Sequence, residues 1–154
     1  MHITYPLTVY FDASCRLCNS EMQNIKQHDA QQRLILIDCS AHDFDTTICK
    51  QNNISLDTMM NRLHAQDAAG QWLMGVSAFE VIYRTIGMPL MANIWGHTLM
   101  RPLTERLYPW IADHRYLFSR LGFPELITLY GRYAARRADK RSRACHEGKC
   151  TAND

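Results

Sequence analysis

The feature that most constrains this chain is a junction. The apolar run Val9-Tyr10-Phe11 stops at Asp12-Ala13-Ser14, and Cys15 and Cys18 follow three apart in a helix-like pattern. The composition of 7–11 predicts a strand, with β-branched and aromatic residues throughout. From 15 to 27, Leu17, Met22 and Ile25 can share one face while Glu21 and Lys26 face water, so this stretch predicts a helix. On a helix, i and i+3 lie on one face, so the two sulfurs can meet. A helix N-terminus carries unpaired N–H groups and about half a unit of positive charge, which favours thiolate. Arg16 adds a cation beside the first thiol. Cys15 is therefore expected to be the nucleophile and Cys18 the resolving thiol. Asp12 has two readings. It can form the turn and cap the helix, or it can move a proton to or from the second, buried thiol.

A continuous apolar run, Leu34-Ile35-Leu36-Ile37, ends at Asp38 and suits a strand buried on both faces. Strand, helix and strand with short joints make a βαβ unit with parallel strands. Their C-terminal ends then share one edge of the sheet, where sites form in open α/β sheets. Asp38 and Cys39 are accordingly expected near the Cys pair, Asp38 tuning its pKa and Cys39 serving as a third redox thiol.

Helices are expected at 43–52 and at 56–60, the second capped by Ser55. Residues 62–66 and 72–74 flank Asp67-Ala68-Ala69-Gly70 and read as a β-hairpin. Ser77 with Glu80 suggests a capping box for a helix over 78–86 that ends at Gly87. Beyond it the chain reads as helical, divided by Pro89, Pro102, Pro109 and Pro124 into segments 90–100, 103–107, 111–121 and 125–138. The aromatic and aliphatic residues that recur there at helical spacing are read as core.

The resulting expectation is an α/β fold: a thioredoxin-like core, βαβ then ββα on a mixed four-stranded sheet, with an all-helical C-terminal extension. The core would occupy 1–88, the extension 89–138, and a basic, cysteine-containing tail 139–154. At 154 residues with 47% apolar and 21% charged residues, the chain has enough length and apolar content to bury a core. A net charge of +2 selects no partner. No secretory signal pattern and no apolar stretch long enough to span a membrane is visible. The chain is expected to be cytoplasmic and not transmembrane. In a reducing compartment, six cysteines point to catalysis, metal binding or simple burial before structural disulfides.

The motif Asp12-x-x-Cys15-x-x-Cys18 after an apolar strand resembles the signature of the DCC family of thiol–disulfide oxidoreductases. The hairpin from Leu63-His64-Ala65 to Gly70, followed by Gly75-x-x-Ala78-Phe79, is similar to that family's middle motif. The segment Tyr108-Pro109-Trp110-Ile111-Ala112-Asp113-His114-Arg115-Tyr116 looks like its late helical motif. Cys145 and Cys150 match a closing cysteine pair. The resemblance implies thiol–disulfide oxidoreduction on a protein or small-molecule thiol or disulfide, with a recycling reductant or oxidant. The chain departs from the pattern in two places. Ala13 stands where the family has glycine, which requires a negative φ or some strain. No proline lies between Pro6 and Pro89, so the cis-proline that thioredoxin-like enzymes place against their cysteine pair is missing.

No organic cofactor is expected, because no glycine-rich phosphate loop occurs. Three readings compete with catalysis. Cys15 and Cys18 with Cys145 and Cys150, or with His146, could hold zinc in a binding module without turnover. The fold could be a redox-inert adaptor that binds a partner through its helices. The basic run from Arg132 to Arg143 could bind nucleic acid or an anionic membrane, but it lacks an aromatic platform and is read as a solvated helix end. The pair Cys145 and Cys150, beside Arg143, His146 and Lys149, could exchange electrons with Cys15 and Cys18. Cys49 is read as a small apolar helix residue and His64 as structural.

Overall fold

The computed structural model describes residues 2–146, with side chains described through 133 and at 136. Four strands form one mixed sheet: β1 (Leu7–Phe11), β2 (Leu34–Asp38), β3 (His64–Gln66) and β4 (Trp72–Met74). Their order is β2-β1-β3-β4. β1 runs parallel to β2, with Leu7 opposite Leu34 and Phe11 opposite Asp38. It runs antiparallel to β3, which pairs antiparallel with β4. The parallel pair is joined by α1 (Arg16–His28) in a βαβ unit.

Successive residues of a strand point to opposite faces, and β1 divides the core accordingly. Leu7, Val9 and Phe11 join Met22 and Ile25 of α1 and Ile82 and Tyr83 of α4 (Val76–Thr85) in one cluster. Tyr10 faces the other way. It joins Cys39, Cys49 of α2 (Thr47–Gln51) and Met59 of α3 (Leu56–Asn61) in a second, smaller cluster. The rest of the chain is helical: α5 (Pro89–Gly96), α6 (Arg101–Asp113), α7 (Arg115–Arg120) and α8 (Phe123–His146). α7 and α8 lie on α1, and α5 and α6 lie on α4. The expected tail boundary at 139 falls inside α8. No helix among the described residues is long and apolar enough to cross a membrane.

Several local expectations are corrected. β2 is an edge strand and not a central one buried on both faces: Leu34 is buried but Ile35 is 44% exposed. The helix expected from 43 begins only at Thr47, because Asp45 Oδ1 accepts the Thr47 N–H at 2.9 Å and makes a turn there. β3 begins at His64, since Arg62 still donates its N–H to Thr58 O as the C-cap of α3. Ser77 does not cap α4. Gly75 does, at φ 60°, and Ser77 Oγ donates to Met74 O instead. A Cβ on Gly75 would meet the Tyr108 ring at 3.0 Å, so this cap is set by packing. Tyr108 OH also accepts the Leu63 N–H at 2.7 Å. That one ring seats α6 on the core. Pro109 does not interrupt α6, which runs through it to Asp113. The break comes at His114, which both ends α6 and opens α7.

Candidate active site

The turn between β1 and α1 is held by two carboxylates. Asp12, 1% exposed, accepts at Oδ1 from the Ser14 N–H at 2.9 Å and the Ser14 hydroxyl at 2.5 Å. Asp38, at the end of the neighbouring parallel strand, accepts at Oδ1 from the Ala13 N–H at 3.0 Å and from Ser40 N–H and Oγ–H. Burial pushes the Asp38 carboxyl up, but these bonds from Ser40 and Ala13 hold it below its ordinary value. Among the described residues, the non-glycine positions with positive φ are Gln32 and Asn53. Ala13 therefore replaces glycine without backbone strain.

Cys15 itself occupies the N-cap of α1, in place of the expected Asp12. Its Sγ accepts the Cys18 N–H at 3.3 Å and its carbonyl accepts the Asn19 N–H. Cys18 Sγ donates to Cys15 Sγ at 2.7 Å. The sulfurs are thus nearer than a loose contact and further apart than the ~2.05 Å of a disulfide. Cys15 is 0% exposed, covered by α7, whose Ser119 Oγ lies 3.9 Å from the sulfur. The hydrogen bond from Cys18 lowers the Cys15 thiol most. Burial opposes it, and the Cys18 N–H, Ser119 and the Arg115 charge assist, leaving it at about 6. Cys18 moves the other way. Its thiol is spent as donor to Cys15, and burial adds to the rise.

The cation near this pair is not the expected one. Arg16 turns outward to Glu125 Oε1 at 2.7 Å, both side chains well exposed. Arg115, the first residue of α7, is 6% exposed. Its Nη2 donates to Asp12 Oδ2 at 3.1 Å and its Nη1 to Asn61 Oδ1 at 2.7 Å. Tyr116 OH donates to the same Asp12 oxygen at 3.1 Å. Ser119 Oγ donates to Arg115 O and accepts the Leu17 N–H at 3.1 Å, one of the unpaired donors of the first turn of α1. Arg115, Tyr116 and Ser119 were not singled out as site residues from the sequence, although Arg115 and Tyr116 stand in the late helical motif. A buried aspartate beside the cysteines is the signal that could have found them, since a buried charge requires a partner.

Asp38 lies at the motif as expected, joined to its turn through Ala13. Cys39 lies at the expected edge, its N–H donating to Phe11 O at 2.8 Å. Its side chain, however, is on the other face of the sheet, packed with Tyr10, Cys49 and Met59. Burial pushes the Cys39 thiol up to about 12, with Cys49 and Asp38 adding to the rise. Cys49 is raised by burial too. Cys150 and the side chain of Cys145 lie outside the described residues, and with them the closing pair and the proposed four-cysteine zinc site. Among the described residues no group of three or more His, Cys, Asp or Glu could hold a metal ion.

On the α1 side, a cavity of about 250 Å³ lies between Cys18 and the helical extension. Cys18 forms part of its wall, with Phe79, Trp95, Tyr108, Ile111 and Phe118 around it. Asp12 and Arg115 line it as well. Glu21 also lines it, bonded to Tyr83 OH; burial raises its carboxyl.

A family model described as DCC1-like thiol-disulfide oxidoreductase matches residues 9–121. An uncharacterized chloroplastic protein of Arabidopsis thaliana is 25% identical over 148 residues, covering 94% of this chain and 64% of that protein. The chain thus spans less than two thirds of that relative's length. No solved structure matches.

Proposed function

The chain belongs to the DCC1-like thiol-disulfide oxidoreductase family, and from that premise we propose that Cys15 and Cys18 form a reversible dithiol–disulfide couple on a thioredoxin-like core. The observation that carries this reading is the Cys18 thiol directed at Cys15 Sγ from 2.7 Å, with the Cys15 thiol lowered to about 6. At neutral pH the first sulfur is then mainly thiolate, and the second holds the proton.

The cycle balances as follows. Cys15 lies under Ser119 of α7, so a substrate disulfide reaches it only when α7 gives way; the Cys15 thiolate then attacks one sulfur of that disulfide. A Cys15–substrate bond forms as the substrate disulfide breaks, and the other half leaves as a thiolate. Once Cys15 no longer carries negative charge, Cys18 loses its hydrogen-bond acceptor. Its proton passes to the first departing thiolate, and the Cys18 thiolate attacks Cys15 Sγ. The Cys15–Cys18 bond forms and the second substrate thiolate departs, so the protein loses two electrons and the substrate gains them. The reverse sequence oxidises a dithiol. Arg115 stabilises the thiolate, and Asp12 positions Arg115 through the buried ion pair. The strand order β2-β1-β3-β4, with βαβ preceding ββα, supports the thioredoxin-like reading.

The test is equilibration with mixtures of reduced and oxidised dithiothreitol, followed by acid quenching and peptide mapping. One two-electron transition that links Cys15 to Cys18 is expected. A pair that stays reduced in fully oxidised dithiothreitol, while Cys39 or Cys49 forms bonds, would overturn the reading.

A further inference from the structure

The surface of the molecule is divided. Among the described residues, fifteen of the nineteen exposed large aliphatic and aromatic side chains lie between Leu90 and Tyr133. Charge follows the same division. The sequence through Met88 has six Lys and Arg against nine Asp and Glu, whereas residues 89–146 have ten against four. Contiguous exposed apolar surface on a folded chain marks an interaction site.

α8 shows how the two properties combine. Its inner side carries Pro124 and Gly131, both buried, and a Cβ on Gly131 would collide with Asn24 of α1. Helical spacing turns Leu126, Leu129, Tyr130 and Tyr133 to the opposite side. Leu126 is 59% and Leu129 64% exposed. With Arg132 and Arg136 these four line an open groove of about 490 Å³. Four more cations follow in the sequence of α8 between Arg137 and Arg143. Ring contacts continue the surface onto the neighbouring helices. Phe123 of α8 lies 4.9 Å from Phe118 of α7, which lies 5.5 Å from the exposed Trp110 of α6.

A second copy of the chain would bring like charge against like charge on this face. Nucleic acid would answer the arginines and leave the leucines in water. Protein hot spots are rich in Trp, Tyr and Arg and poor in Leu, yet leucine supplies eight of the fifteen exposed side chains. Leucine and aromatic residues beside a basic array are the composition of a helix that lies in the headgroup region of an anionic bilayer. We propose that the outer face of α8, with the apolar surface it shares with α6 and α7, docks this protein on an anionic lipid surface. The leucines enter the boundary between headgroups and acyl chains, and the tyrosines sit at headgroup level. The arginines pair with lipid phosphates and carboxylates. The helix lies along the membrane and does not span it, in keeping with its hydropathy.

The test is flotation of the full chain with phosphatidylcholine vesicles that contain phosphatidylserine, and with vesicles of phosphatidylcholine alone. Binding to the anionic vesicles should saturate, be at least about tenfold tighter than to the neutral ones, and weaken in about 1 M salt, where charges are screened within about 3 Å. Arg132→Gln should weaken it about fivefold. Leu126→Gln with Leu129→Gln should weaken it about tenfold or more while thermal melting stays unchanged, since both side chains are exposed. Vesicles with brominated acyl chains should quench the tryptophan fluorescence of the natural sequence, a result independent of how any variant folds. No flotation at low salt, equal binding to both vesicles, no quenching, or binding untouched by the leucine substitutions in a folded variant would each overturn the proposal. Binding of polyglutamate without vesicle binding would assign the face to an acidic protein, and leucine-dependent dimerisation without vesicle binding would assign it to a second copy. Either result overturns the lipid assignment.

Discussion

Two pairs of cysteines flank the same sheet, and their environments differ more than their burial. Cys15, Cys39 and Cys49 are all buried. Cys15 is lowered to about 6 and Cys39 is raised to about 12. Burial acts upward on both. What separates them is what each sulfur faces. Cys15 caps a thirteen-residue helix, receives an N–H and a thiol, and has a buried guanidinium nearby. Cys39 packs against Tyr10, Cys49 and Met59, and the backbone bond from Phe11 that lowers it is outweighed by burial, Cys49 and the neighbouring Asp38. Thiol reactivity in this protein is therefore a property of the helix end and of α7, and burial alone would have silenced both pairs.

The largest expected effect comes from removing the cation. Arg115→Met leaves Asp12 buried and unpaired, and breaking a buried ion pair costs about 3–5 kcal/mol. The urea midpoint should fall accordingly, and the Cys15 thiol should move up toward Cys39. A variant of natural stability with an unchanged Cys15 titration would break the comparison.

Next is the pH dependence of the reduced protein. The Cys15 thiol is depressed in the folded state, from 9.0 to about 6. Its contribution to stability is fully present above its unfolded value near 9 and is lost as pH falls through about 6. Urea stability should therefore rise between pH 6 and 9, by at most about 1.4 kcal/mol per pH unit from this group. Cys39 has the opposite sign. Its folded value is raised, so it favours folding below about 9 and withdraws that contribution as pH climbs toward 12. The rise between 6 and 9 should vanish in Cys15→Ala and persist in Cys39→Ala. Persistence in both would assign it to another group.

The smallest effect sharpens the assignment of the cation. Arg16→Ala breaks an exposed ion pair with Glu125, worth about 0–1 kcal/mol. Thermal melting should shift little and the Cys15 titration should not move. A large rise in the Cys15 value would restore Arg16 to the role that its neighbouring position suggests.

The contrast also explains what could be read from the sequence. β1, α1, β2 and the hairpin were legible because their signals are local: a continuous apolar run, a 3.6-residue periodicity, and a glycine-bearing loop. The parallel pairing of β1 and β2 follows from the βαβ pattern alone, and it set Asp38 at the edge that holds the Cys pair; that its carboxylate takes the Ala13 N–H is known only from the structure. The choice of face for Cys39 follows from alternation past the end of β2, where the chain is already turning at Ser40. The cap of α4 was not legible, because Gly75 takes that role under the Tyr108 ring from α6. The same holds for Pro109, where a local breaker yields to a helix packed on the core. Arg115 and Ser119 are about a hundred residues from the cysteines that they serve, so adjacency favoured Arg16. The motif around residue 115 marked the segment without saying what its arginine touches.

One titration tests the central claim most directly. Protein labelled with ¹³C at cysteine Cβ, kept reduced, reports each thiol separately by NMR as pH is raised from 4 to 10. Cys15 should titrate near 6 while Cys18, Cys39 and Cys49, all raised above the ordinary thiol value, ionise later. Four cysteines that ionise together near 9, or Cys39 ionising before Cys15, would contradict it.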